Sequence, residues 1–491
     1  MKKAYLVGAG PGDPGLLTLK GRAVLEQADC VLYDNLANPA LLALVKPGAE
    51  CIYVGKKKSH HPKSQEEICS LLVERARQGL CVVRLKGGDP YLFGRGGEEA
   101  EALAQAGVPF EVVPGVTSPS GLSAYAGVPL THREHTSAVT FVTGHAVEAI
   151  DWAKVGHAET LVVLMGLTNI RQIAARLISH GKNPKTPAMA VRWASRPFQQ
   201  TIVGVLEDIA DRTEAAQMKP PATFVIGEVV KLRDQLNWYE RLPLFGQRIV
   251  VTRARNQATQ LSEKLALYGA EVVEFPVIEI APPDDPSPLD TAIQRLSQYD
   301  WLIFTSVNGV QYFLDRLDRS NLDLRQIKGK ICAIGPATRR ALEQLHLKVD
   351  LMPEQYVAES LVEAFQGQQL AGKRVLLPRA KVARDVVPVA LRQQGAEVDV
   401  VEAYQTVLPT VDPKTINEIF ERKPDWITFT SSSTVKNFLS LVESERFKSV
   451  RLASIGPVTS ETARQLGLRI TVEAAEHTMD GLVEAILKFV S

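Results

Sequence analysis

Three glycine-rich stretches carry the residues best placed to do chemistry. The first, Val7-Gly8-Ala9-Gly10-Pro11-Gly12-Asp13-Pro14-Gly15, contains a formal G-x-G-x-x-G at Gly10, Gly12 and Gly15. A pyrophosphate cradle of that pattern works through backbone N–H groups, and Pro11 and Pro14 each remove one. No acidic residue closes the next strand at the distance a ribose requires, Asp34 being the nearest. No Gly-Lys-Ser/Thr follows, which excludes a Walker A loop. The stretch reads as a tight strand-to-helix turn, or as a loop that lets a bulky ligand approach the backbone. The second stretch, Arg84–Glu99, sets five glycines among the basic residues Arg84, Lys86 and Arg95. A long solvated loop is one reading; its length and glycine density favour contact with an anionic or polar ligand. In the third, Pro114-Gly115-Val116-Thr117-Ser118-Pro119-Ser120, a hydroxyl at a helix start is commonly a cap. A strand end in an open α/β sheet is also where ligands bind, so both readings stand.

Metal and thiol chemistry find less support. His60-His61 has no spaced third ligand and reads as surface, so no metal is expected. The cysteines, Cys30, Cys51, Cys69, Cys81 and Cys332, include no C-x2-C pair, which excludes zinc-ribbon and thioredoxin-type sites. Their low, odd count suits a reducing cytosol.

The elements that must hold these loops are short apolar runs alternating with amphipathic stretches. Ala4–Val7, Cys30–Tyr33 and Cys81–Leu85 read as buried strands, with helices over Leu16–Gln27 and Glu66–Arg77 and from near Glu98. That alternation predicts a mainly parallel α/β sheet. The pattern pauses around Gly127–His135 and resumes at Val139–Thr143, followed by strands at Leu161–Met165, Ala188–Val191 and Thr223–Ile226. This predicts two lobes joined near residue 130, with a unit boundary in Asn237–Gly246.

After that boundary the chain repeats itself. Gly246–Ala254 returns as Gly372–Ala380, Gly269–Val272 as Gly395–Val398, Asp300–Ser306 as Asp425–Ser431, and Ile334–Thr338 as Ile455–Thr459. The offsets are 126, 126, 125 and 121 residues. Ordered matches at this long period predict a duplicated α/β unit, each copy a lobe with its own core, facing across a cleft. Pro282–Pro288 is too proline-rich for a helix or central strand and reads as a turn or lobe crossing.

The 491 residues suggest about three domains at roughly 150 residues each. A formal net charge of +1 argues against a dedicated nucleic-acid or anionic-membrane binder. The apolar stretch after Met1-Lys2-Lys3 is too short for a signal-peptide core, and no run approaches the roughly 18 residues of a membrane span. A cytoplasmic protein is expected.

Val7–Lys20, Tyr33-Asp34, Val54-Gly55-Lys56, Arg84–Glu99, Pro114–Ser118, Pro129–Arg133, Val142–His145 and Pro221–Val229 together resemble uroporphyrinogen-III C-methyltransferase, over residues 1–240. The resemblance implies two α/β lobes, about 1–130 and 131–240, with a cleft for S-adenosylmethionine between them. It implies two methyl transfers to uroporphyrinogen III, giving precorrin-2 for sirohaem or cobalamin, and a homodimer through this module. The cofactor contacts it assigns are Pro11, Gly87, Gly88, Asp89, Leu92, Thr117, Ser118, Met165 and Ala194; the last position is often glycine in that family. It makes Asp34 the proton acceptor and Lys56 the proton donor; from the residues alone, Asp34 reads as a helix cap and Lys56 as surface charge.

Val251–Ala254, Ile303–Ser306, Ile334–Thr338, Ala403-Tyr404-Gln405-Thr406 and Thr428–Ser432 resemble uroporphyrinogen-III synthase, over 246–491. That family closes hydroxymethylbilane into a macrocycle without a cofactor. The resemblance makes Tyr404 the catalytic candidate and has Thr305, Ser306, Thr338, Ser431, Ser432 and Thr459 line the substrate cleft. Thr-Ser after a strand is also an ordinary helix cap. Two alternatives stay open: a non-catalytic two-lobed regulatory module fused to the methyltransferase, and a nucleotide-dependent oxidoreductase.

Overall fold

A computed structural model describes residues 2–55 and 63–490. The chain forms two compact units, one of the residues up to Arg248 with Lys264–Glu271, the other of Ile249–Glu263 with Val272–Phe489. No helix among the described residues is long and apolar enough to cross a membrane.

In the first unit, β1 (Ala4–Gly8), β2 (Cys30–Tyr33), β3 (Glu50–Tyr53), β4 (Val82–Lys86) and β5 (Phe110–Val113) form an all-parallel sheet ordered β3-β2-β4-β1-β5. Alternate residues enter opposite cores, Leu6, Leu32 and Val82 on one face and Val7, Val31 and Val83 on the other. Helices Gln65–Arg77 and Gly96–Gln105 close the first face with Ile68, Leu72 and Leu103, each such burial worth about 1.5–3 kcal/mol. Gln65–Arg77 starts in a capping box between Ser64 and Glu67.

A second sheet, ordered β6-β7-β10-β8-β9, comprises β6 (Val139–Thr143), β7 (Thr160–Leu164), β8 (Pro187–Arg192), β9 (Gln200–Val205) and β10 (Ala222–Ile226). Only β6 and β7 pair in parallel, so the expectation of a mainly parallel sheet holds for the first sheet and not for this one. The physical reason is local: β8 returns to β9 through residues 193–199, too short a link for a parallel crossover. Helix Ser118–Ala126 packs Leu122 and Ala126 onto this sheet beside Val162 and Met189. The Asn237–Gly246 run is built into the unit: Tyr239 and Leu244 are buried, and Tyr239 packs edge-on against Tyr125.

The second unit also holds two sheets. Strands β11 (Arg248–Val251), β12 (Glu271–Glu274), β18 (Trp426–Phe429), β19 (Arg451–Ser454) and β20 (Val472–Glu473) are ordered β12-β11-β18-β19-β20. Strands β13 (Glu279–Ala281), β14 (Trp301–Phe304), β15 (Lys330–Ala333), β16 (Arg374–Ala380) and β17 (Glu397–Val407) are ordered β13-β17-β16-β14-β15. Each sheet thus joins the first two strands of one repeat copy to the later strands of the other. This corrects the expectation that each copy is a lobe with its own core. Matching segments identify which strands are alike; they do not say which sheet edge each completes. The exchange occurs because the chain leaves the first sheet at residues 275–278 and returns only after β17. The lobe crossing therefore precedes Pro282–Pro288, which instead leads from β13 into helix Ser287–Gln294 with Pro288 in its first turn.

Candidate functional site

The glycines of the first unit's strand-end loops bring backbone against backbone. A Cβ on Gly115 would stand 2.3 Å from Gly88 O, and one on Gly8 would stand 2.5 Å from Gly115 N. Gly10 N–H donates to Gly88 O (3.2 Å) and Gly88 N–H to Gly10 O (2.7 Å). These two donors are spent within the protein. Asp89 ties the loops together: Oδ1 accepts from Tyr91 N (2.8 Å) and Leu92 N (3.1 Å), Oδ2 from Gly115 N (3.0 Å). Asp13 accepts from Tyr125 Oη at 2.5 Å and reaches across to the second lobe by donating its N–H to Ser195 Oγ at 3.0 Å.

Between the lobes lies a cleft of about 710 Å³, within the range that holds small organic ligands. Pro11, Gly87, Gly88, Asp89, Leu92 and Ser118 line it from one side, Met165 and Ala194 from the other, with Asp34 in the same wall. Thr117 is not among the lining residues; it is the N-cap of Ser118–Ala126 and makes no side-chain cap bond. Lys56, His60 and His61 lie outside the described residues.

Backbone strain gathers here. Phe93, Arg95, Met165 and Trp193 all line the cleft with φ between 52° and 58°, a left-handed conformation costly for side chains with a Cβ. Met165 is 53% exposed, which leaves an apolar side chain facing the opening.

The basic residues of the Arg84–Glu99 stretch are not a loose cationic loop. Arg84 and Lys86 belong to β4, on the face that carries Val82, and both are buried. Arg84 Nη2 donates to Asp34 Oδ2 at 2.8 Å and Nε to Glu99 Oε1 at 3.1 Å, while Lys86 Nζ donates to the same Glu99 oxygen at 2.9 Å. Arg95 pairs with Glu98 (2.7 Å). Burial, then the neighbouring Arg84 charge, pulls the Lys86 ammonium below the ordinary lysine range. Burial also opposes the Arg84 charge, but Asp34 and Glu99 outweigh it and raise its affinity for its proton. Glu99 and Gln65 are not marked as site residues by the sequence; the signal that points to them is the two charges, Arg84 and Lys86, inside the otherwise apolar β4. His132, Glu134 and His135 each bring one ligand-type atom within 4.8 Å of the others, on a turn where Glu134 and His135 are exposed.

In the second unit, Tyr404 on β17 and Ser306 after β14 come together, hydroxyl to hydroxyl at 3.0 Å, with Tyr312 stacked on Tyr404 at 5.9 Å. Ser306 and Ser431 are N-caps, accepting from Gly309 N (3.0 Å) and Thr434 N (3.3 Å). Thr305 and Ser432 are half-buried, and Ser432 Oγ accepts from Thr462 Oγ1 at 2.7 Å. Thr338 and Thr459 are each 4% exposed, a correction to the expectation that they line an open cleft: both sit in the first turn of a helix, turned inward. A cavity of about 550 Å³ lies where both lobe crossings pass, lined by Phe275, Ile278, Pro409 and Val411 among others, and contains none of the expected substrate residues.

Residues 3–210 match the family model described as tetrapyrrole (corrin/porphyrin) methylases, and residues 259–484 match that of uroporphyrinogen-III synthase HemD. The porphyrin biosynthesis protein HemD of Ruminiclostridium josui is 36% identical over 490 residues, 98% of this chain and 97% of that one. The uroporphyrinogen-III C-methyltransferase of Bacillus subtilis (strain 168) is 39% identical over 347 residues, 69% of this chain and 71% of that one. A crystal structure of uroporphyrin-III C-methyl transferase from Thermus thermophilus, complexed with S-adenyl homocysteine, is 46% identical with a TM-score of 0.42, covering 47% of this chain and 99% of that one. With one relative similar along almost its whole length and both family models in the same order, the chain is an enzyme of tetrapyrrole biosynthesis; it belongs to the HemD porphyrin-biosynthesis family and carries a tetrapyrrole methylase module followed by a uroporphyrinogen-III synthase module.

Proposed function

We propose that the second module cyclises hydroxymethylbilane to uroporphyrinogen III and that the first methylates this product twice to precorrin-2, on the sirohaem and cobalamin route. The observation that carries the reading is the two-lobed cleft with Asp34 in its wall, within a chain that matches both family models in order. S-adenosylmethionine, when bound, supplies an electrophilic methyl group on a sulfonium. Its site is proposed at Pro11, Gly87, Gly88, Asp89, Leu92, Ser118, Met165 and Ala194, where bare backbone and the apolar Leu92 and Met165 side chains meet. Alignment of the pyrrole carbon with that methyl does most of the work. Asp34 takes the proton released as the ring tautomerises, and Lys56 is proposed to supply one.

In the second module Tyr404, paired to Ser306, assists departure of the hydroxyl, with Thr305, Ser431 and Ser432 as hydrogen-bonding groups for the substrate carboxylates. This step is proposed to need no cofactor. The module boundaries are proposed at 1–240 and 246–491, and the methyltransferase module is proposed to pair as a homodimer, which light scattering of the intact chain measures.

The test supplies the intact protein with hydroxymethylbilane, with and without S-adenosylmethionine. Uroporphyrinogen III without the methyl donor, and a doubly methylated product with it, is the expected result. Failure to form uroporphyrinogen III favours a non-catalytic second module; nicotinamide binding without S-adenosylmethionine binding favours an oxidoreductase.

A further inference from the structure

The charges along the cleft form a single hydrogen-bonded chain that ends at Asp34, whose Oδ2 accepts from Arg84 and whose Oδ1 accepts from Leu36 N–H at 3.0 Å. Glu99 is 0% exposed, and its Oε1 accepts from Arg84 Nε (3.1 Å), Lys86 Nζ (2.9 Å) and Gln65 Nε2 (3.2 Å), while its Oε2 has no hydrogen-bond partner among the described residues. A fully enclosed carboxylate is costly, and its retention needs cations held close. Arg84 is held at every nitrogen: Nε by Glu99, Nη1 by Leu85 O (3.0 Å) and Leu32 O (3.4 Å), Nη2 by Asp34 Oδ2 (2.8 Å). In the sheet it stands level with Leu6 and Leu32, a place where an apolar side chain packs without any counter-charge. Packing alone therefore does not account for a guanidinium there. The two carboxylates differ in access: Asp34 is 22% exposed at its side chain and lines the cleft, and Glu99 is sealed. A planar guanidinium, with its donors in a fixed fork, transmits the position of the sealed carboxylate to the open one.

We infer that Arg84, itself a buried residue at the cleft lining, is a positioning residue for Asp34, tying its Oδ2 to the Glu99 anchor while Leu36 N–H holds Oδ1, so that the carboxylate meets the substrate in one orientation. The inference rests on the reading of Asp34 as proton acceptor given above. Arg84 touches no reacting atom in this scheme; it acts through Asp34.

The test measures methylation of uroporphyrinogen III by the full-length chain in a double-mutant cycle of Arg84→Gln and Asp34→Asn. In the Asp34-containing protein, Arg84→Gln lowers kcat roughly 10- to 100-fold, the span expected for a disturbed acid–base group, and leaves the KM for S-adenosylmethionine within about twofold. Arg84→Lys, which restores the charge and one donor, recovers part of the loss. In the Asp34→Asn background the Arg84→Gln change costs nothing further. An equal fold-loss in both backgrounds overturns the inference while leaving the Asp34 reading intact. Full turnover by Asp34→Asn overturns the Asp34 reading itself, and the inference with it. Should Arg84→Gln fail to fold, Glu99→Gln runs the same cycle: a loss of a few-fold, seen only when Asp34 is present, supports the chain, and an equal loss without Asp34 overturns it.

Discussion

The Tyr404 hydroxyl lies 3.0 Å from Ser306 Oγ, so the candidate catalytic group of the second unit is bonded to the residue that caps helix Val307–Leu317. The two hydroxyls divide into separable roles. Tyr404→Phe keeps the ring stacked on Tyr312 and removes only the polar atom; synthase turnover is expected to fall at least about tenfold, the factor given by about 1.4 kcal/mol of lost transition-state stabilisation, with methylation of added uroporphyrinogen III unchanged. Ser306→Ala also removes the acceptor of Gly309 N–H, a loss of about 1 kcal/mol of helix capping, which a melting curve reads as a drop of about 2–4 °C. A Tyr404→Phe protein with full synthase activity would remove Tyr404 from the mechanism.

The three strand-end loops of the first unit meet too closely for any side chain at Gly115. A Cβ there would lie 2.3 Å from Gly88 O and 2.7 Å from Gly8 Cα, and both contacts are backbone. Gly115→Ala is expected to abolish S-adenosylmethionine binding or to leave the chain insoluble. Gly97, in the first turn of Gly96–Gln105, has open space around its Cβ direction. Gly97→Ala is expected to bind normally and to gain up to about 1 kcal/mol in stability from helix propensity. Calorimetric titration of both variants with S-adenosylmethionine checks the contrast.

Asp29 links strand ends through Lys46, the Cys81 N–H at 2.7 Å and Lys2 at 2.9 Å, and these partners, in that order, hold its carboxyl far below the usual aspartate range. A depressed folded-state value favours folding wherever the unfolded carboxyl is also ionised, above roughly pH 4, and that contribution fades as pH falls toward the folded value. Asp29→Asn is therefore expected to melt below the wild-type protein at pH 7, with the gap closing progressively below pH 4. A gap that stays constant across that range would mean the charge contributes nothing.

The central strands β1 and β2 are legible because they are apolar runs buried in the sheet, and β4 is legible to within one residue although it carries Arg84 and Lys86. β6 is legible with its observed ends although it is a partly exposed edge strand, because Val139, Phe141 and Val142 still mark it as apolar. β3 and β9 are not legible in sequence: neither has a fully buried residue, and in β3 Glu50 and Cys51 stand exposed where an apolar run would mark the strand. The cleft residues came from the family resemblance and the glycine spacing; Glu99 did not, because a sealed glutamate looks in sequence like any surface charge of an amphipathic helix. The repeat was visible as sequence, while the strand exchange was not, since likeness of segments carries no information on pairing.

That exchange yields the last prediction. Residues 246–371 hold β11 to β15, and residues 372–491 hold β16 to β20. A cut between them leaves β11 and β12 as a two-stranded remnant without β18, and separates β14 and β15 from their neighbour β16. Two-stranded sheets are marginal in water, and the cut also strips cover from Trp426 and Phe429, both fully buried in the intact unit. Had each copy been a lobe, either half would fold alone with its own core. With the strands exchanged, neither half is expected to show a cooperative melt by itself, and the two mixed or co-expressed are expected to regain one. A cooperative transition from residues 246–371 alone would show that the copies are autonomous and that the exchanged sheet order is wrong.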